Sequence, residues 1–160
     1  MTARFVPVTV AQLDDVIRGR LDPITLLFPD DNSPSEALDI DKSWHAIHYL
    51  LTGVPWDGEP PLCHVILGGE PAGEDTGFGP ARCLRPDEVA TIASALERVT
   101  PDSLRQRFGD GTALTQADIY PGVWHGGADA FDSVLTYFTE LVKLYRQTAA
   151  SGRAMLLFLV

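Results

Sequence analysis

The chain has 160 residues, 45% of them hydrophobic, with a mean hydropathy of +0.03. Those figures fit one domain that buries a core without staples, and they exclude a disordered chain. A formal charge of -10 and a pI near 4.6 repel phosphate backbones, so nucleic acid is not expected as a partner.

The only close basic set is Arg98, Arg105 and Arg107. No apolar run approaches the ~20 residues that cross a bilayer, so no membrane partner is expected either. The opening residues lack a secretory pattern, and Cys63 and Cys83 form no CxxC. Both are expected as free thiols in a reducing cytoplasm.

Arg4-Phe5-Val6-Pro7-Val8 reads as a short strand whose proline favours an edge or an end. Thr9-Val10-Ala11-Gln12 has the form of a capping box, which predicts a helix over 10–18 stopping at Gly19. Asp22 before Pro23 starts another brief helix. Residues 29–35 are a loop by composition, placed where a rim or lid would lie.

The run Leu38-Asp39-Ile40-Asp41-Lys42-Ser43-Trp44 opens the segment that organises the domain. Asp39 or Asp41 can cap a helix, and Gly53 can stop it in the left-handed conformation. At 100° per residue Ile40, Trp44, Ile47 and Leu51 form one apolar stripe. Asp41, His45 and Thr52 share a neighbouring arc, with His48 on the border, so Asp41 and His45 (i,i+4) and His45 and His48 (i,i+3) are in reach of each other.

Residues 54–61, with three prolines and Gly58, cannot be regular structure. Residues 62–67 read as a buried strand closed by Gly68-Gly69, 70–79 as loop, and 80–84 as a second strand. Pro86-Asp87-Glu88 starts a helix through Val99, and Thr100-Pro101-Asp102 a further one stopped by Gly109. Ile119-Tyr120-Pro121-Gly122 is a turn. The longest periodic segment covers 128–151, with Phe131, Val134, Leu135, Phe138, Leu141, Val142 and Tyr145 at helical spacing. Gly152 ends it, and the apolar residues 155–160 fit a central strand.

The order of elements is not a strict βα alternation. It suggests a single α+β domain over 1–160, a small mixed sheet packed against several helices, one of them long and near the C-terminus.

Three stretches resemble one family. Leu38-Asp-Ile-Asp-Lys-Ser-Trp44 with His48 and Leu50-Leu51-Thr52-Gly53, then Val65-Ile-Leu-Gly68-Gly69, then Asp118-Ile-Tyr-Pro-Gly122, are similar to the YfbM-like bacterial proteins, a family of unknown function. The resemblance covers nearly the whole chain and implies a small single α+β domain. It carries over no catalytic residues. Arginine greatly outnumbers lysine (only Lys42 and Lys143), a bias associated with GC-rich bacterial sources.

Catalytic signatures are missing: there is no G-x-S-x-G, H-E-x-x-H or Walker sequence. Gly77-Phe78-Gly79-Pro80-Ala81-Arg82 lacks the last glycine of a dinucleotide loop, and Pro80 removes an N–H that phosphates need. Asp39-Ile40-Asp41 could hold a divalent cation through phosphates, yet two acids at a helix start are commonly caps. His45 and His48 could be joined by Cys63-His64, or by Asp118 and His125, but nothing in the spacing makes them meet, so no metal and no cofactor is expected. Cys63, ahead of an apolar run, reads as an inert thiol.

Two functions stand side by side. One is a non-catalytic domain binding a small molecule or a protein through His45, His48, Trp56, Tyr120 and Trp124, with Trp44 largely in the core. The other is a hydrolase- or transferase-like enzyme in which His48, oriented by Asp41 or Asp118, does acid–base work in a cleft rimmed by Trp56 and Trp124.

Overall fold

A computed structural model describes residues 1–29, 36–75 and 77–160. Its sheet has five strands in the order β2-β1-β5-β4-β3, with β1 Ala3–Val8, β2 Leu38–Asp39, β3 Glu70–Asp75, β4 Pro80–Leu84 and β5 Ala154–Leu159. Every pairing is antiparallel where the order of elements suggests a mixed sheet. The apolar terminal strand lies at the centre, as its composition predicts.

Both faces of this sheet are covered, and the period of two in its strands shows how. Ala3 and Phe5 of β1 with Met155 and Leu157 of β5 join the larger core. Val6 and Val8 with Ala154, Leu156 and Phe158 join a second, smaller core on the opposite face. A strand buried on both sides has no polar side chain to alternate with, which accounts for Ala-Met-Leu-Leu-Phe-Leu.

Two short helices, α1 Val10–Ile17 and α2 Pro23–Leu27, close the smaller core. The capping box forms as its residues predict: Gln12 N–H donates to Thr9 Oγ1 at 3.1 Å, and Thr9 N–H donates to Gln12 Oε1 at 2.9 Å. Asp22 caps α2 through Ile24 N–H. Pro7 sits past the two-residue β2, where β1 pairs with no strand on that side among the described residues, so its missing N–H costs no ladder bond there. Of the loop expected over 29–35, residues 30–35 lie outside the described residues.

The larger core is closed by α3 Trp44–Thr52, α4 His64–Leu67, α5 Pro86–Leu96, α6 Pro101–Phe108, α7 Thr112–Gln116 and α8 Gly127–Ala150. Phe131, Val134, Phe138, Leu141 and Tyr145 run down α8 as one buried stripe. The Arg105 guanidinium lies 4.4 Å over the Phe131 ring and covers its outer end.

Two expectations change, and one helix was not foreseen. Residues 62–67 are not a strand. Turn bonds from Cys63 N–H to Glu59 O and from His64 N–H to Pro61 O lead instead into α4, which buries Val65 and Ile66 and exposes His64. An apolar run of that length carries no periodicity that separates the two states.

Residues 70–75, expected as loop, form the edge strand β3 with a bulge between Ala72 and Asp75. Pairing with β4 overrides the poor strand propensity of Glu-Pro-Ala-Gly-Glu-Asp, and those same acids and proline keep the edge from pairing further. The helix α7 was legible in neither cap nor stripe.

Candidate functional site

The organising segment begins as a 3-10 turn, Asp41–Ser43, before α3 proper. Asp39 Oδ1 accepts from Asp41 N–H at 2.8 Å in a local Asx turn, but the cap positions are Ile40 and Ser43 and neither bonds the helix start through its side chain, so the expected carboxylate cap does not form. Gly53 stops α3 in the left-handed region, with φ +82. Trp44, Ile47, Leu50 and Leu51 are buried, and Trp44 shows no exposure at all.

His45 is buried as well, at 1% exposure, and both ring nitrogens are engaged by backbone. Nε2 lies 2.8 Å from the carbonyl oxygen of Pro55, and Nδ1 accepts from the Tyr120 N–H at 3.0 Å. The expected contact with Asp41 does not form: Asp41 is exposed with φ +48, and no acceptor or donor on His45 remains for it. Burial holds the His45 pKa below its ordinary 6.5, while the Pro55 carbonyl and the charge of Asp118 work in the opposite direction.

Aromatic rings stack outward from this imidazole. Trp44 lies nearly parallel to it at 4.8 Å between centroids, and Trp56, tilted by 37°, lies 4.4 Å from it and 6.1 Å from Trp44, so the three rings touch one another. Tyr120 stacks on Trp44 at 6.1 Å, and its hydroxyl accepts from the Met1 amine at 3.2 Å. Trp56 is 54% exposed, so the stack ends in an open aromatic ledge. Thr52 Oγ1 pins the start of the covering loop by accepting from the Val54 N–H at 3.2 Å, its single hydrogen lying between the carbonyls of His48 at 2.9 Å and Val54 at 3.0 Å.

His48, one turn further along α3, has no exposure, and among the described residues neither ring nitrogen meets a partner at full hydrogen-bond geometry, the Asp57 backbone being the nearest. Among the same residues the Trp44 Nε1–H is likewise buried without an acceptor. Burial first, then the neighbouring His45, push the His48 pKa below 6.5; the backbone and carboxylate of Asp57 act the other way. Neither Asp41 nor Asp118 orients this ring, contrary to the acid–base reading. Asp118 stands by His45 instead, with φ +54.

Trp124 is not a rim. It is 4% exposed, and its Nε1–H donates to the Ile119 carbonyl at 2.7 Å, a core tryptophan closing its own turn. Burial pushes the Cys63 thiol up and that of Cys83 up to about 11, which leaves neither as a ready nucleophile. Both are free. His64 and His125 are exposed, and among the described residues no group of three metal-ligating side chains converges.

Of the expected site residues, then, His45, Trp56 and Tyr120 come together, His48 is sealed beside them, and Trp124 turns away. Sequence reading missed the Pro55 carbonyl and the Tyr120 amide, because backbone partners leave no mark in residue type. A cavity of about 450 Å³ lies elsewhere, between the end of α1 and the start of α5, lined by residues that include Ile17, Glu70, Cys83, Arg85 and Glu88.

This is a small α+β domain with an antiparallel sheet, helices on both faces and an aromatic ledge carried by α3. The model for "Domain of unknown function (DUF1877)" matches residues 1–158, and the chain belongs to that family. It is 27% identical to Protein YfbM of Escherichia coli (strain K12) over 167 residues, spanning 100% of this chain and 98% of that protein. The crystal structure of YfbM from Escherichia coli, described there as a protein of unknown function, matches with a TM-score of 0.78 and 25% identity over 100% of both chains. Among the described residues no helix is long and apolar enough to cross a membrane.

Proposed function

We propose that this chain is a non-catalytic binding domain of the cytoplasm whose recognition face is the ledge formed by Trp56 and Tyr120 over α3. The observation that carries the reading is Trp56: a large aromatic ring left 54% exposed, yet held against a buried imidazole that is itself fastened to two loops. A rigid, half-exposed tryptophan offers contact area at little entropic cost, which suits a small ligand or a protein partner. The formal charge of -10 makes nucleic acid an unsuitable partner. Two free thiols accord with a reducing compartment.

A thermal-shift and tryptophan-fluorescence screen tests this. The probes are amino acids, nucleosides, organic acids, divalent metals and a panel of proline- and aromatic-containing peptides. Wild type, Trp56→Ala and His48→Leu are compared. Stabilisation in wild type that is lost in Trp56→Ala and kept in His48→Leu supports the ledge. Turnover of a probe that depends on His48 would replace this reading with the acid–base one.

A further inference from the structure

We propose that His45 is a proton-sensitive clamp: the neutral ring ties the 54–61 loop to the 118–122 turn and so assembles the ledge, and uptake of one proton breaks the tie at Tyr120 and releases both segments.

The partners dictate the state of the ring. A carbonyl oxygen only accepts, so Nε2, 2.8 Å from Pro55 O, carries the hydrogen. A backbone N–H only donates, so Nδ1, 3.0 Å from Tyr120 N, presents its lone pair. Only the neutral Nε2–H tautomer satisfies both. Adding a proton sets Nδ1–H against Tyr120 N–H, donor against donor, at a site 1% exposed where water cannot take up either hydrogen. Relief requires the turn or the loop to move.

The charged and titratable groups around the ring are few. On α3 there is His48, whose own charging would repel that of His45. From the loop comes Asp57, acting on His48, and from the turn Asp118, whose charge favours the protonated His45. Tyr120, Trp44 and Trp56 contribute uncharged rings. Burial outweighs the attraction of Asp118, so the ring stays neutral at pH 7 and charges only on acidification.

The two segments are built to give locally. Asp57 and Asp118 hold φ +60 and φ +54, left-handed conformations that aspartate enters more readily than most residues and that mark both segments as irregular turns. Thr52 still tethers Val54 when the clamp opens, so the loop swings from a fixed base.

As regulation of the ledge this rests on the binding reading above, but its test needs no ligand. Amide-exchange protection factors over 54–61 and 118–122 are followed from pH 8 to pH 4.5, with the β1 and β5 amides as the gauge of global stability. Wild type, His45→Gln and His48→Leu are compared, and nitrogen-15 spectra of the imidazoles report tautomer and charge.

At pH 8 the Nε2–H tautomer of His45 is expected. As the ring charges below pH 6.5, protection in both segments falls by up to about tenfold per pH unit and stays below that of β1 and β5, which fall only with the global loss that the two depressed histidines bring. His48→Leu keeps this behaviour, and His45→Gln, with an amide that cannot titrate, loses it.

Protection that stays flat while His45 protonates, or the same acid dependence in His45→Gln, overturns the clamp; so does an Nδ1–H tautomer. Should His45→Gln not fold, the wild-type midpoints decide. Coincidence of ring protonation and loop release supports the proposal, and a gap wider than about one pH unit, the span over which a single group titrates, rejects it. Loss of ligand binding in Trp56→Ala at pH 8 tests the ledge independently.

Discussion

The phenol of Tyr145 donates to the carbonyl of Val65 at 2.7 Å. One residue is in the long helix α8, the other in the single turn of α4, and both are fully buried. Burial raises the phenol's pKa, so it stays an O–H donor at any pH the fold survives. A four-residue helix leaves most of its carbonyls without intrahelical partners (only His64 O accepts, from Gly68 N–H), and Tyr145 supplies the one Val65 needs. Tyr145→Phe keeps the ring and orphans that carbonyl. It should cost about 1–3 kcal/mol, read as a lower urea midpoint with an unchanged slope.

Gly111 faces a harder constraint. It holds φ +85, and a Cβ there would run into the carbonyl of Trp124. Gly111→Ala should destabilise by about 3 kcal/mol or more, because left-handed strain and a backbone clash act together. Gly122→Ala is the comparison: φ +81, but nothing within 4 Å of its Cβ. Only the conformational cost of about 1–2 kcal/mol should appear there. Equal losses in the two variants would refute the role given to Trp124.

His48 offers a substitution expected to help. A buried ring with two unpaired nitrogens carries a desolvation penalty that an apolar side chain does not. His48→Leu should leave stability at pH 7 unchanged or raise it by about 1 kcal/mol. The folded-state pKa of His48 lies below the ordinary 6.5. As pH falls through 6.5 the unfolded chain therefore takes up a proton that the folded chain refuses, and stability drops until the folded pKa is reached. The variant should lose less over that window. Denaturation at pH 7.5 and pH 5 measures both effects, and a steeper acid loss in the variant would contradict them.

Thr9→Ala removes one half of the reciprocal cap on α1. The expected loss is about 1 kcal/mol, a fall of roughly 2–4 °C in Tm for a domain of this size. Double substitution with Gln12→Ala should cost less than the sum, since each side chain serves the other's backbone.

What residue order determined here is local. Thr9 with Gln12, Asp22 before Pro23, and the stripe from Phe131 to Tyr145 each needed only neighbours within a few positions, so caps, helices and the apolar terminal strand were legible. Trp44 in the core was also within reach, because it falls on the apolar stripe of α3 with Ile47 and Leu51.

Tertiary structure alone decided the rest. Residues 62–67 are too few and too uniformly apolar to show a period, so packing under Tyr145 made them a helix. Residues 70–75 have the composition of a loop, and pairing with β4 made them a strand. The state of the two histidines was settled by the Pro55 carbonyl and the Tyr120 amide on His45, and by the lack, among the described residues, of any partner completing a hydrogen bond to His48. Every residue carries those backbone groups, so only their position distinguishes a fastened imidazole from a sealed one.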